Sequence, residues 1–161
     1  MPNLNDNPLV SLIITNYNKS NFIIKAISSC LNQKYRNIEI IFFDDKSSDN
    51  SLKKIKEFKK KNDLNFKIIA NPKKKKNSAP INQLLAIKKS LNFANGKFVS
   101  LLDADDYFHK NKIFEIVKIF NKSKTKIILD QPIFKFKKKQ IKKTFSNKTF
   151  KNKWPKFPPT S

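Results

Sequence analysis

Four short apolar runs, each followed by a helical pattern, constrain this chain more than any other feature of its sequence. Residues 9–15 (LVSLIIT), 38–43 (IEIIFF), 66–70 (FKIIA) and 98–102 (FVSLL) have strand length and are nearly continuous in apolar side chains. A strand wetted on one face alternates apolar and polar residues. Continuous runs instead read as strands covered on both faces, the pattern of a parallel sheet. Behind the first run, Ile23, Ala26, Ile27, Cys30 and Leu31 recur at helical spacing, with Ser20 or Asn21 available as a cap. Leu52, Ile55 and Phe58 form the inner face of a lysine-rich helix capped by Ser48 or Asp49. A third helix from about Pro80 carries Leu84, Leu85, Ile87, Leu91 and Phe93, and Gly96 is placed to end it. A fourth spans residues 113–120, and residues 127–129 suit a short fifth strand. The alternation predicts an α/β domain over residues 1–130, with a mostly parallel sheet flanked by helices. Residues 131–161 change to Phe and Lys in rough alternation and read as the start of a further region.

Composition narrows the function classes. The 161 residues carry a formal charge of +23, yet Arg36 is the one arginine among 35 basic residues. Arginine is the residue suited to bidentate contacts with guanine and phosphate, so the charge predicts no nucleic-acid partner. Drift toward lysine across the whole surface explains it first, and attraction to an anionic membrane second. The single cysteine, Cys30, fits a reducing compartment, and neither a membrane-spanning run nor signal-peptide character is visible. The expectation is a cytoplasmic protein, with peripheral association at the inner face of the plasma membrane as an option. With one glycine the chain cannot hold the G-x-G-x-x-G turn of dinucleotide binders.

The acidic residues are few and clustered. Six of the 12 fall in two groups, Asp44, Asp45 and Asp49, then Asp103, Asp105 and Asp106, each directly after an apolar run. Ligands of open α/β sheets bind outside the carboxyl ends of the strands, so both groups are expected at one crevice. Like charges that close need a cation or hydrogen-bond donors to stay ionised. Asp103-Ala104-Asp105-Asp106 suits Mg²⁺ or Mn²⁺, hard ions that use one or two carboxylates plus substrate phosphates. Capping of the next helix by Asp105 and Asp106 is the competing reading. Asp49 reads as a helix cap, whereas Asp45 could accept hydrogen bonds from a base or ribose. Tyr17, in Thr15-Asn16-Tyr17-Asn18 after the first run, could offer its ring face to a nucleobase or simply pack over the strand end.

Four segments in order carry a resemblance. Residues 10–18 (VSLIITNYN), 31–41 (LNQKYRNIEII) and 44–49 (DDKSSD), and then residues 94–98 (ANGKF) leading into 101–106 (LLDADD), resemble family 2 glycosyltransferases over about residues 8–120. The resemblance implies the GT-A fold, a Rossmann-like single domain. It also implies inverting transfer from a nucleoside diphosphate sugar, a UDP-sugar being favoured, to an acceptor hydroxyl. The acceptor would be a glycan or lipid-linked sugar of the cell envelope. Thr15, Tyr17 and Asp45 would correspond to the residues that hold a uracil-type base. Asp103 and Asp105 would be the D-x-D carboxylates near the ribose and the metal-bridged diphosphate, with Asp106 a further ligand.

Three departures stand out. Lys46 occupies the usual glycine of the Asp-Asp-Gly-Ser turn, and Lys88-Lys89 lies where an Arg-Asn pair is usual. The family's catalytic base lies well beyond the D-x-D, and Asp130 is the one acid after Glu115. The expectation is therefore an incomplete chain that binds donor but turns over little, its base and acceptor half lying downstream. Two competitors remain: a basic non-catalytic protein on an anionic membrane or nucleic acid, and a Mg²⁺-binding receiver domain. The second would need an aspartate after the third strand, where Asn71-Pro72 stands.

Overall fold

The computed structural model describes residues 7–72, 78–122, 127–128, 134–136 and 139–141. The chain divides into two compact units, Met1–Lys126 and Ile127–Ser161. In the first, β1 (Val10–Asn16), α1 (Ile23–Leu31), β2 (Ile38–Asp44), α2 (Ser51–Lys61), β3 (Lys67–Ala70), α3 (Ala79–Leu91), β4 (Phe98–Asp103) and α4 (Lys112–Lys122) follow in order. The four strands form one parallel sheet in the order β3-β2-β1-β4, each within about one residue of its predicted run. The chain thus steps outward from β1 to β3, then returns to add β4 on the other side of β1. That reversal opens a crevice at the carboxyl ends of β1 and β4.

One face of the sheet carries the main core. Val10, Leu12 and Ile14 of β1, Ile40 and Phe42 of β2, and Leu102 of β4 pack against Ile23, Ala26, Ile27 and Cys30 of α1, Ile55 of α2, and Ile113 and Val117 of α4. Each such fully buried branched side chain contributes about 1.5–3 kcal/mol of transfer free energy. Gln33 joins two of these helices although it is itself completely buried. Its Nε2 donates to the carbonyls of Ser29 and His109, and its Oε1 accepts from Ile113 N.

The other face is covered differently from the sequence expectation. α3 packs on β1 and β2, but its buried stripe is Asn82, Ala86 and Ser90, not its leucines. Leu84 is 65% exposed, and Leu85, Leu91 and Phe93 are exposed as well. Small side chains at i, i+4 and i+8 let the helix lie close to the sheet, a stripe that a search for apolar periodicity cannot see. The capping expectations also shift. α1 begins at N-cap Phe22 and α2 at Asn50, neither with a side-chain cap, while Asp49 accepts from Ser51 N one residue beyond the α2 cap.

Gly96 does not end α3, whose C-cap is Asn92. A Cβ on residue 96 would lie 2.6 Å from both the backbone N and the Oγ of Ser11. The glycine is needed for close approach of backbones, not for its torsional freedom. Around it, Gly96 N donates to Ser11 Oγ, Ser11 Oγ to Glu39 Oε1, and Asn95 N and Nδ2 to the two Glu39 oxygens. Lys67 Nζ lies 3.5 Å from Glu39. Burial works against the Glu39 charge, but these donors and Lys67 hold its carboxyl below the usual range. This knot ties β1, β2, β3 and the β4 approach at the amino end of the sheet.

In the second unit, β5 (Phe134–Phe136) and β6 (Lys139–Ile141) form an antiparallel pair. Residues 127 and 128 carry no strand, and residue 129 lies outside the described residues, as do Asp130 and residues 73–77. Among the described residues no helix is long and apolar enough to cross a membrane.

Candidate functional site

The crevice between β1 and β4 holds a cleft of about 370 Å³. Thr15, Asn16, Tyr17 and Lys19 line it from the end of β1, Asp45 from β2, and Asp103, Ala104 and Asp105 from β4. Ala79, Gln83 and Ala86 of α3 form the remaining wall. The structure thus brings Thr15, Tyr17, Asp45, Asp103 and Asp105 together. Asp106 stands in the same turn, its N–H donating to Asp103 O, but it is not part of the lining.

The β1 and β2 loops are stitched to each other. Asn16 Nδ2 donates to Asp44 Oδ1 at 2.7 Å and to Ser47 Oγ at 3.0 Å. Ser47 donates both its N–H and its hydroxyl to Asp44. Asn18 N donates to Ser47 Oγ, and Asn18 Oδ1 accepts from Ser48 N at 2.8 Å. Ser20 N donates to Asp49 Oδ2 at 2.9 Å. Burial opposes the Asp49 charge, yet the Ser51 and Ser20 donors keep its carboxyl below the usual range. Asp44 and Asp49 are therefore structural carboxylates, the first almost completely buried. Lys46 adopts φ 57°, so the chain accepts the left-handed turn without glycine; Lys46 Nζ donates to Pro72 O at 3.1 Å.

On this frame Tyr17 is 46% exposed and Asp45 only 6%. Asp45 Oδ1 accepts from Asn71 Nδ2 at 2.8 Å, and Asn71 Oδ1 accepts from Lys89 Nζ at 3.2 Å. Lys89, one of the two lysines near the expected Arg-Asn position, thus reaches the site through Asn71.

The acidic loop after β4 divides its load. Asp103 Oδ1 accepts from Gln83 Nε2 at 2.5 Å and from Thr15 Oγ1 at 3.3 Å, both neutral donors. Asp105 Oδ2 takes a cation, Lys19 Nζ at 2.6 Å. That hydrogen bond, then the charges of Asp105, Asp103 and Asp106, raises the Lys19 ammonium against the opposing effect of burial. Desolvation, then the charges of Asp105 and Asp103, pushes Asp106 up, against Lys19. Among the described residues no three His, Cys, Asp or Glu side chains gather closely enough to ligate one ion. Among the described residues a metal here would draw on at most two carboxylates, Asp105 with Asp103 or with Asp106. Such hard oxygen donors, open to a cleft, fit Mg²⁺ or Mn²⁺ completed by phosphate oxygens and water.

Four residues of this site escape a reading of the sequence. Lys19 sits in a chain crowded with lysines, and nothing marks it out except its place two residues after Tyr17. Gln83 and Ala86 could have been found as the cleft side of α3 only once the close-packed stripe was known. Asn71 looked like the end of a strand and no more.

Residues 11–159 match the family described as glycosyl transferase family 2. A relative from Escherichia coli, the UDP-Glc:alpha-D-GlcNAc-diphosphoundecaprenol beta-1,3-glucosyltransferase WfgD, is 37% identical over 108 residues, covering 67% of this chain and 39% of its own. The hyaluronan synthase of Pasteurella multocida is 32% identical over 123 residues, 76% of this chain and 12% of its own. Among solved structures, a mannosyltransferase from Pyrobaculum calidifontis in complex with GDP-Man and Mn²⁺ superposes with a TM-score of 0.60 at 21% identity, over 69% of this chain and 32% of that one. TarS from S. aureus in complex with UDP does so with a TM-score of 0.55 at 26% identity, over 70% of this chain and 32% of that one. These likenesses show the fold to be GT-A. The chain spans well under half the length of these relatives.

Proposed function

Because the chain belongs to glycosyl transferase family 2, we propose that its cleft binds the nucleoside diphosphate of a sugar donor, and that the chain serves transfer of that sugar to an acceptor hydroxyl. One observation carries the reading. The stitched loops bearing Tyr17 and Asp45 face the Asp103–Asp105 turn across a single cleft at the sheet's switch point. Tyr17 would stack on the base, Asp45 would accept its N–H groups, and Thr15 with Asp103 would sit at the ribose. Asp105, with Asp103, would hold Mg²⁺ or Mn²⁺, which neutralises the charge of the departing diphosphate. A UDP-sugar is favoured, since UDP is the ligand in the TarS structure and WfgD is named for UDP-Glc.

In the transfer, the acceptor oxygen bonds to the anomeric carbon as the bond from that carbon to phosphate breaks. The electron pair leaves with the diphosphate, and the acceptor proton passes to a base. No described cleft residue is assigned that role, because Asp45, Asp103 and Asp105 are committed to the donor. The acceptor we infer is a glycan or lipid-linked sugar of the cell envelope, met at the cytoplasmic side. The name of WfgD, with its diphosphoundecaprenol-linked substrate, supports the lipid-linked acceptor.

Isothermal titration with UDP and GDP, with and without Mn²⁺, tests the donor site. Tight binding of one nucleotide that requires Mn²⁺ and is lost in Asp105→Ala is the expected result. Affinity unchanged by EDTA and by that substitution would overturn the metal assignment.

A further inference from the structure

We propose that Lys19 is an exchangeable counter-ion: its ammonium holds Asp105 in the cation-free protein and passes to a phosphate oxygen of the nucleoside diphosphate when a divalent cation takes Asp105. The inference rests on the donor-site reading above and adds a coupling between the two ligands of that site.

Geometry sets the two cations in competition. Lys19 Nζ sits 2.6 Å from Asp105 Oδ2. A Mg²⁺ or Mn²⁺ ion would bind that carboxylate at roughly 2.1 Å, within about 4 Å of the ammonium, where a dication and a monocation repel strongly. The two cations compete for Asp105 Oδ2. Asp103, by contrast, is served by the neutral donors Gln83 and Thr15, which a cation bound nearby does not repel.

The contact is also built to be given up. Both side chains are 41% exposed, so the pair is screened by solvent and stabilises the fold little. The backbone of Lys19 is anchored, its carbonyl accepting from Phe22 N and Ile23 N at the entry to α1. The four-carbon stem can therefore swing while its root stays fixed. Among the described residues Lys19 is the one lysine lining the cleft, so once displaced it is placed to meet another anion there. The diphosphate is the anion that would stand beside Asp103 and Asp105.

A thermodynamic consequence follows. Mn²⁺ alone must evict Lys19, while Mn²⁺ with nucleotide gives Lys19 a new partner, so each ligand strengthens the other by the same factor. Neutralising Lys19 should tighten binding of the metal alone and reduce that mutual gain, leaving the part that comes from phosphate oxygens on the metal itself.

The test is Mn²⁺ titration, followed by the paramagnetic resonance signal of free Mn²⁺, with and without saturating UDP. Wild type, Lys19→Met and Lys19→Gln are compared, with circular dichroism confirming that each is folded. We expect Lys19→Met and Lys19→Gln to bind Mn²⁺ alone about 5-fold or more tighter than wild type, and UDP to improve Mn²⁺ affinity by a smaller factor than in wild type. Equal Mn²⁺ affinity of the three proteins without UDP, or undiminished gain from UDP in both variants, would overturn the counter-ion role and leave the donor site standing. If none of the three binds Mn²⁺ even with UDP, the donor-site metal is itself wrong, and the role of Lys19 falls with it.

Discussion

Replacing Gly96 with alanine is the sharpest probe of this fold. The added Cβ would meet Ser11 N and Ser11 Oγ at 2.6 Å and Phe98 O at 2.8 Å, and two of those three atoms belong to the backbone. Real Cβ contacts are not that short, so β1 and the entry to β4 must separate by several tenths of an ångström. Overpacking of this kind costs about 1–3 kcal/mol. Separation also strains the bonds from Gly96 N to Ser11 Oγ and from Ser11 Oγ to Glu39, a loss of about 1 kcal/mol together. A total of about 2–4 kcal/mol lowers Tm by roughly 6–12 °C in a chain of this size. Thermal unfolding followed by circular dichroism measures it, with Ser11→Ala as the companion that removes the hydrogen bonds without the clash and should fall less. The cleft begins four residues along β1, about 13 Å away, so nucleotide affinity of the folded variant should stay near that of wild type. A Tm within about 1 °C of wild type would refute the close-approach account of this glycine.

Lys46→Gly should raise stability by about 0.5–1 kcal/mol in urea unfolding, because a left-handed φ of 57° is costly for a residue with a Cβ; no gain would mean the turn is unstrained. Glu39 has a depressed carboxyl pKa in the folded state, so its contribution is present above the ordinary glutamate value and is lost as pH falls from there through the folded value. Glu39→Gln should therefore flatten the acid limb of a stability–pH curve measured from about pH 6 down to pH 3, and an unchanged slope would show that other carboxylates dominate it. Tyr17→Ala should weaken nucleotide binding by about 1–3 kcal/mol in calorimetry while leaving Tm nearly unchanged; a full loss of folding would make the ring structural.

The strands were the most legible part of the chain. Residues 10–14 and 40–43 are covered on both faces, and a run of apolar residues is the direct imprint of that burial. The convergence of Thr15, Tyr17, Asp45, Asp103 and Asp105 on one cleft was also readable, because parallel strands gather their carboxyl ends at one edge. α3 was legible as a helix, but its packed face was not, for a physical reason. Its sheet-facing side is chosen for closeness, with Asn82, Ala86 and Ser90, so hydrophobicity pointed to the wrong face. Gly96 was misread because a helix terminator and a backbone crossing demand the same residue. Lys19 and Gln83 were invisible because their partners lie 86 and 20 residues away in the chain, and pairing at such distance leaves no local pattern.

The seam between the loops after β1 and β2 bears on how fast a ligand could be captured. With Asn16, Asn18 and Ser20 each bonded to a residue between 44 and 49, the two loops are tied together as one plate. The ordering entropy of that plate is settled during folding, and encounter with a ligand need not wait for it to assemble. Association should then run at the rate of diffusion and orientation, without a lag, and selectivity among nucleotides should reside in how long each one stays.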